Sequence, residues 1–350
     1  MNSEIISYFN HLSNQFWKGN SSLPVISKKI NIGNIQVQFN FIGEQLIPIF
    51  FDVFRHLEIS DEEEAISKPS LIINLWDKES TRIGVDDTPW QLETPHHLGL
   101  IESFTSSGYF TLQQPGSEAI YMFDKTSNTA YYHVSKKSLI PFWESDFPLR
   151  MVFHWFFNVT PLQPVHSAAI GNEKGGVLLV GKGGSGKSTT TLSCLNSSLK
   201  IAGDDYILLD TDNNVAHSLF SLSKITTNSI ELLKHYSLKD AVRKPAIEGK
   251  FRISLYDHYP ENLIKSIPIK AILLPTVCGN LKTKIVKGSA AQAMIALAPT
   301  TLFQLPGLRE EAFKKMAHFV RQVPAYQLQL GSDIQNIPDL LEDFITQMTS

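Results

Sequence analysis

Gly181 is followed by four residues and then by Gly186-Lys187-Ser188, so residues 181–189 read GKGGSGKST. That is the pattern of a phosphate-binding loop, and each part has a mechanical job. Gly181, Gly183, Gly184 and Gly186, with Ser185 among them, let successive backbone N–H groups turn inward around a phosphate chain. Lys187 is suited to reach the β and γ phosphates, the Ser188 hydroxyl is suited to hold Mg²⁺, and Thr189 follows at the start of the next element. The apolar run Val177-Leu178-Leu179-Val180 predicts a buried strand feeding the loop. Thr189–Leu195 predicts the first turns of a helix leaving it, which sets a phosphate at a positive helix end. An ordinary Gly-rich turn is the plain alternative, and the strand before and helix after argue against it. The expected cofactors are a nucleoside triphosphate, taken as ATP, and Mg²⁺.

A phosphate loop by itself says only that a nucleotide binds. Asp204-Asp205, beginning 17 residues after Lys187, are the candidates for a second metal ligand and a catalytic base. One loop–helix–turn excursion returns the chain beside the loop in that distance. Adjacent carboxylates point in different directions, so one can face the metal while the other faces an incoming hydroxyl. Without the loop, the same pair reads as a solvated acidic turn. His166 is the third candidate, on a short apolar strand just before the one that feeds the loop. A histidine there can hydrogen-bond a carboxylate, orient it or take up a proton; its plain alternative is a satisfied histidine at a strand end.

Phosphoryl transfer also needs positive charge, because its transition state spreads negative charge over the equatorial oxygens. Beyond Lys187 the C-terminal half offers Lys224, Arg243, Lys244, Lys250 and Arg252, with no basis in spacing to choose among them. His96-His97 has no partner at metal-ligand spacing, and His11, His133, His235 and His318 read as isolated. No metal site is expected apart from nucleotide-linked Mg²⁺.

These groups need a scaffold, and the hydrophobic pattern sketches one. Ile5, Ile6, Phe9, Leu12, Phe16 and Trp17 share one face of an N-terminal helix. Alternation at Ile30, Ile32, Ile35, Val37, Phe39 and Phe41 around Gly33-Asn34 predicts a hairpin. Leu71–Trp76, Tyr109–Leu112, Ala119–Phe123 and Ala130–Val134 read as strands, with a turn at Ser127-Asn128, while the acidic run Asp61–Glu64 reads as solvated. Leu149–Asn158, dense in aromatics, predicts a buried helix. Further strands are expected at Val165–Ile170 and Val177–Val180, around a turn at Gly171-Asn172, and at Tyr206–Leu209, Ala216–Phe220, Arg252–Tyr256 and Ala271–Leu274. Helices are expected at Ala290–Leu297, Glu310–Val323 and Asp339–Met348. The result is a sheet-rich α+β domain over 1–160 and an α/β domain over 161–350.

The chain has 350 residues, 43% apolar and 19% charged, with a net charge of −3. That composition gives no footprint for nucleic acid or a membrane surface. Cys194 and Cys278 are the only cysteines, too few for a disulfide framework, and Cys194 reads as a small buried hydrophobe. Without a cationic, apolar leader or a bilayer-length apolar run, the expected location is the cytoplasm.

The order of motifs carries a resemblance. His166-Ser167-Ala168-Ala169, the run Gly176–Val180, GKGGSGKST and Gly203-Asp204-Asp205-Tyr206 resemble the catalytic domain of HPr kinase/phosphorylase. They are closer to the HPr-kinase-like serine kinases found beside peptide natural-product genes, including the tailoring kinases of lasso peptides. Ser218-Leu219-Phe220 with Lys224, Gly249-Lys250, Ala296–Leu302 and Val323–Leu328 extend the likeness over 165–350. The resemblance implies the P-loop fold shared by HPr kinase and phosphoenolpyruvate carboxykinase, a mixed sheet with helices. It implies Asp204 as base steadied by His166, Asp205 with Ser188 on Mg²⁺, and Lys224 and Lys250 as phosphate-facing cations. Ser167 stands where HPr kinase usually has glycine, and Ile247-Glu248-Gly249 lacks the arginine of the Glu-Ile-Arg-Gly signature, so dephosphorylation and HPr itself as substrate are not expected.

The reading is an ATP- and Mg²⁺-dependent kinase acting on a hydroxyl, a serine of a peptide or protein above all. The expected partner is a peptide, protein or small-molecule hydroxyl acceptor recognised by residues 1–160, with no nucleic acid and no membrane; assembly into a homo-oligomer is left open. Two alternatives stand beside it. One is a nucleotide-binding regulatory or scaffolding module without transfer. The other, ranked last for want of a second-metal set, is a carboxykinase-like metabolic enzyme.

Overall fold

The computed structural model describes residues 2–19, 22–59, 68–85, 88–90, 98–106, 108–233, 238, 249–305 and 307–349. Asp61–Glu64, His96, His97, His235, Arg243, Lys244, Ile247 and Glu248 lie outside the described residues. Contacts divide the chain into two compact units, Met1–Phe156 and Phe157–Ser350. Both are mixed α/β, each built on its own mixed sheet.

The first unit begins with the helix Asn2–Lys18. Ile5, Phe9, Leu12 and Phe16 recur every three or four residues, so they form one buried stripe, which packs on Trp76, Met122 and Tyr131. The strands are β1 (Val25–Ile32), β2 (Ile35–Ile42), β3 (Leu71–Asp77), β4 (Tyr109–Gln113), β5 (Ile120–Asp124) and β6 (Thr129–Val134), in the order β1-β2-β3-β6-β5-β4. The β2–β3 and β3–β6 pairs are parallel and the rest antiparallel. The hairpin between β1 and β2 turns at Gly33, whose φ of 59° suits a residue without a side chain. The opposite sheet face carries Phe39 and Phe123, covered by Phe51, Phe54 and Phe156, with Phe153 packed against Phe54. His133 is not isolated: it is buried with its ring 4.9 Å from that of Trp76, and burial lowers its pKa to about 4.

The second unit contains β7 (Leu162–Val165), β8 (Ala168–Asn172), β9 (Gly175–Leu179), β10 (Lys200–Gly203), β11 (Ile207–Asp210), β12 (Val215–Ser218), β13 (Leu222–Thr226), β14 (Lys250–Ser254), β15 (Ser266–Val277), β16 (Lys284–Lys287) and β17 (Ala325–Leu330). Nine of them form one sheet, with the main path β10-β8-β9-β15-β12-β11-β7 and β17 and β16 beside β15. β13 and β14 form a separate antiparallel ribbon. β15 is the spine. Its first residues pair with β12 antiparallel, its centre with β9 parallel, and its end with β17 parallel.

Alternation along these strands sends side chains to two cores. Val177, Leu179, Ala271 and Leu273 point to one face, where Leu192, Leu341 and Ile345 meet them from the helices Lys187–Ser193 and Ile337–Thr349. Leu178, Ile272 and Leu274 point to the other, where Leu297, Met316 and Phe319 meet them from the helices Ala290–Leu302 and Arg309–Gln322. Each Val, Leu, Ile, Met or Phe side chain among them, fully buried, is worth about 1.5–3 kcal/mol.

Several local expectations change. Val165–Ile170 is not one strand but the end of β7, a break at His166-Ser167 and the start of β8. The turn after β8 is at Glu173-Lys174, because Asn172 still pairs with Gly175. Arg252–Tyr256 divides into the end of β14 and a short helix Leu255–His258, which Ser254 caps through its side chain. β13, β16 and β17 go unmarked in the hydrophobic pattern because they are short or strongly mixed in polarity. His318, read as isolated, lies 3.6 Å from Asp212.

Candidate active site

Two broken strands make the heart of the site. The chain leaves β7, crosses His166-Ser167 and enters β8; later it leaves β10, crosses Asp204-Asp205-Tyr206 and enters β11. β7 pairs antiparallel with β11, matching Val165 to Ile207, and β8 pairs antiparallel with β10, matching Ala169 to Gly203. Both strands therefore break at the same level, and the break residues lie opposite one another. His166 Nε2 and Asp205 Oδ1 come within 2.5 Å although 39 residues separate them. The backbone of the first break is satisfied off the ladder: His166 N–H donates to Thr301 Oγ1 at 3.3 Å and Ser167 N–H to Val165 O at 3.1 Å.

The segment 180–186 leaves the C-terminal end of β9, between β8 and β15, and runs straight into the helix Lys187–Ser193. Open α/β sheets bind ligands outside these carboxyl ends. Gly184 has φ 78° and Gly186 φ 106°. A Cβ on Gly186 would stand 2.3 Å from Leu330 Cδ1, whereas a Cβ on Gly183 or Gly184 would meet no atom within 4 Å. The loop is thus tight against the sheet on one side and open on the other. Lys187 folds back over it, donating to Gly181 O at 2.6 Å and Lys182 O at 3.4 Å. Burial lowers the Lys187 pKa, and Asp205 and Asp204 oppose the shift.

The two aspartates have different surroundings. Asp204 is 1% exposed. Its Oδ2 accepts from Ser223 Oγ at 2.5 Å, while Oδ1 has no hydrogen-bond partner among the described residues. Burial raises its pKa; the Ser223 hydroxyl offsets part of this, Asp205 adds to it, and the Ser188 and Thr191 hydroxyls lower it further. Asp205 is 21% exposed and His166 14%. Burial pushes Asp205 up as well. The hydrogen bond with His166 and its field, then Lys224 and Lys187, outweigh that and hold the carboxyl at about 2. His166 reaches Asp205, where the resemblance implied Asp204, because Asp204 turns inward to the β13 hydroxyl.

A cavity of about 460 Å³ opens over these groups. His166, Gly183, Gly184, Gly186, Lys187, Ser188, Thr189 and Asp205 line it. So do Lys224 and Lys250, which share one face of the ribbon because Lys224 pairs with Arg252 and Thr226 with Lys250. Ser223, one residue before Lys224, faces the other way, which is how β13 serves Asp204 with one side chain and the cavity with the next. Gly181, Ser185 and Asp204 stand behind the wall rather than in it. Val277, Leu330, Ile334 and Ile337 form an apolar end.

Ser223 and Gln304 were not marked by any motif; Tyr206 closes the motif Gly203–Tyr206 but carried no role there. The Tyr206 ring lies on His166, 5.2 Å between centroids and 20° between planes. Gln304 Nε2 stands 3.5 Å from His166 Nδ1, and the Tyr206 hydroxyl donates to Gln304 Oε1.

Among the described residues, no cluster of three His, Cys, Asp or Glu side chains could hold a metal by itself, and no helix is long and apolar enough to cross a membrane. The residues do fit a divalent cation held jointly with a phosphorylated ligand: Asp204 Oδ1 is buried without a partner, and the Ser188 hydroxyl is near enough to act on the same carboxyl.

No family model and no curated protein matches the chain. Among solved structures it is similar to the Hpr(Ser) kinase/phosphatase from Coxiella burnetii, at 14% identity and a TM-score of 0.26, over 53% of this chain and 95% of that one. An overlap this loose adds nothing to the geometry.

Proposed function

We propose that this chain is an ATP- and Mg²⁺-dependent kinase that transfers the γ-phosphoryl group to a hydroxyl, foremost a serine of a peptide or protein. The observation that carries the reading is the convergence on one cavity of Lys187, Ser188, Lys224, Lys250 and the His166–Asp205 pair. An ionised carboxylate in a cavity lined by four lysines, Lys182 among them, and a glycine loop suits a reaction with an anionic donor and a neutral hydroxyl acceptor.

The surroundings favour exchanging the roles that the resemblance implies for the two aspartates. Asp205 faces the cavity and is ionised at neutral pH, so it can accept a hydrogen bond from an acceptor hydroxyl and hold it in line. As the hydroxyl oxygen bonds to the γ-phosphorus, the bond from that phosphorus to the bridging oxygen breaks and its electron pair leaves with ADP. The hydroxyl proton, made acidic by bond formation, passes to Asp205. Asp204 and Ser188 would hold Mg²⁺, which supplies charge neutralisation on the phosphates. Lys187, moved off the Gly181 carbonyl, and Lys224 and Lys250 face the same oxygens.

Purified protein with labelled Mg-ATP and a panel of serine peptides and small alcohols tests this. Asp205→Asn is expected to bind nucleotide as before and lose transfer about 10²- to 10⁴-fold. Equal transfer by wild type and Asp205→Asn removes Asp205 as base. Tight nucleotide binding with no transfer to any acceptor replaces the kinase by a nucleotide-binding module.

A further inference from the structure

His166 meets Asp205 through Nε2, and a ring held at one nitrogen alone can tilt and swing about that contact. Three further contacts restrain it, all from outside the motif that contains it. Its backbone N–H is on Thr301 Oγ1 at 3.3 Å. Its face lies on the ring of Tyr206, which is 2% exposed. Its other nitrogen, Nδ1, faces Gln304 Nε2 at 3.5 Å. The Gln304 amide is itself anchored, since its carbonyl oxygen accepts from the Tyr206 hydroxyl.

From this we infer that Gln304 is a positioning residue that fixes the tautomer and tilt of His166 through Nδ1. An amide has a donor end and an acceptor end. With the acceptor end engaged by the Tyr206 O–H, the N–H₂ end is the one presented to Nδ1. A donor facing Nδ1 needs the lone pair there, so the ring proton sits on Nε2, the atom 2.5 Å from Asp205 Oδ1. His166 then meets Asp205 as an N–H donor. Gln304 sits just beyond the helix Ala290–Leu302, so the end of that helix governs a group 138 residues away. The catalytic consequence rests on the kinase reading; the tautomer does not.

The test uses full-length protein carrying ¹⁵N-histidine, without nucleotide. Long-range ¹H–¹⁵N correlation reads both nitrogens of His166, assigned by the signals lost in His166→Gln. Wild type is expected to show a protonated Nε2 and a hydrogen-bonded, unprotonated Nδ1. Gln304→Leu should move Nδ1 toward the position of an unbonded nitrogen, and Tyr206→Phe, which keeps the stacked ring, should move it part of the way. Gln304→Glu, which offers only an acceptor, should place a proton on Nδ1. In Mg-ATP turnover, Gln304→Leu should lower kcat about tenfold or more while the KM for Mg-ATP stays within about twofold, as for a residue that orients another. The double variant should be no worse than Gln304→Leu, because both changes act through one amide. A protonated Nδ1 in wild type, or His166 signals that ignore both Gln304 variants, overturns the inference. The expected spectra with no phosphoryl transfer by wild type leave the clamp standing and sink the kinase reading.

Discussion

Glu144 in the first unit and Asp204 in the second are both buried carboxylates whose pKa burial raises. Their surroundings differ in one respect. Each Glu144 oxygen has a donor: Leu149 N–H at 2.6 Å on Oε1 and Gln114 Nε2 at 3.1 Å on Oε2. Asp204 has Ser223 on Oδ2; among the described residues no donor meets Oδ1 in hydrogen-bonding geometry, although the Ser188 and Thr191 hydroxyls act on the same carboxyl. A satisfied buried carboxylate holds a fold together; one left half-satisfied costs stability and is kept where a ligand completes it. By that criterion Glu144 reads as structural and Asp204 as a carboxylate of the proposed site.

The sharpest way to break the contrast is to neutralise each in turn. Asp204→Asn is expected to reduce Mg-ATP turnover about a hundredfold. It should also abolish the rise in melting temperature that Mg²⁺ with nucleotide gives wild type, while the protein alone melts no lower. Glu144→Gln should do the reverse, leaving turnover in place and lowering stability by about 1–3 kcal/mol, because one donor now faces an N–H₂. If Glu144→Gln abolishes turnover in protein that still melts cooperatively, the division between the two carboxylates is wrong.

Acid unfolding separates Asp204 from its neighbour. Asp205 has a folded pKa of about 2, below the ordinary 3.8. Its contribution, about 2 kcal/mol, is therefore present above pH 4 and lost as the pH falls through about 2. The raised pKa of Asp204 has the opposite sign: its contribution is present in acid and is lost as the pH rises through its folded value. Urea melts between pH 2 and 7 should show His166→Ala losing stability at neutral pH but not at pH 2, and Asp204→Asn gaining relative to wild type as the pH rises. Parallel curves for both variants would remove the electrostatic difference between the aspartates.

The smallest effect distinguishes the two sides of the loop. Gly186→Ala forces a methyl against Leu330 at a φ of 106°, so it should cost about 1–2 kcal/mol of stability. Gly183→Ala meets nothing within 4 Å in the protein. It should leave the melt unchanged and weaken ATP about tenfold, or about 1.4 kcal/mol, because the added methyl intrudes on the open side. Unchanged affinity in Gly183→Ala would mean that the phosphates do not run there.

Much of the scaffold was legible because its cues are local. The amphipathic stripe of the first helix and the alternation around Gly33 are patterns within one element, and so is the apolar run into Gly181. The breaks were not. Val165–Ile170 reads as one apolar strand, yet it changes partners at His166, where Thr301 from a distant helix takes a backbone N–H that the ladder would have used. β17 is half polar and is a strand because β15 and β16 flank it. Ser223 and Gln304 have no motif at all; long-range contacts bring each to the group it touches.

The residues 181–189, the aspartate pair and the histidine were a matter of sequence alone, since glycine freedom, a lysine and hydroxyls at set spacing are chemistry written in one segment. The sequence could not choose between Asp204 and Asp205, because neighbouring side chains share every local property. Tertiary structure is what gives the two different surroundings. β7–β8 and β10–β11 break at one level of the sheet, and antiparallel register turns Asp205 out to His166 and the cavity lysines while Asp204 turns in to Ser223. Whether a carboxylate is paired, buried or open depends on what the rest of the chain brings to it, and that is settled only when strands distant in sequence align.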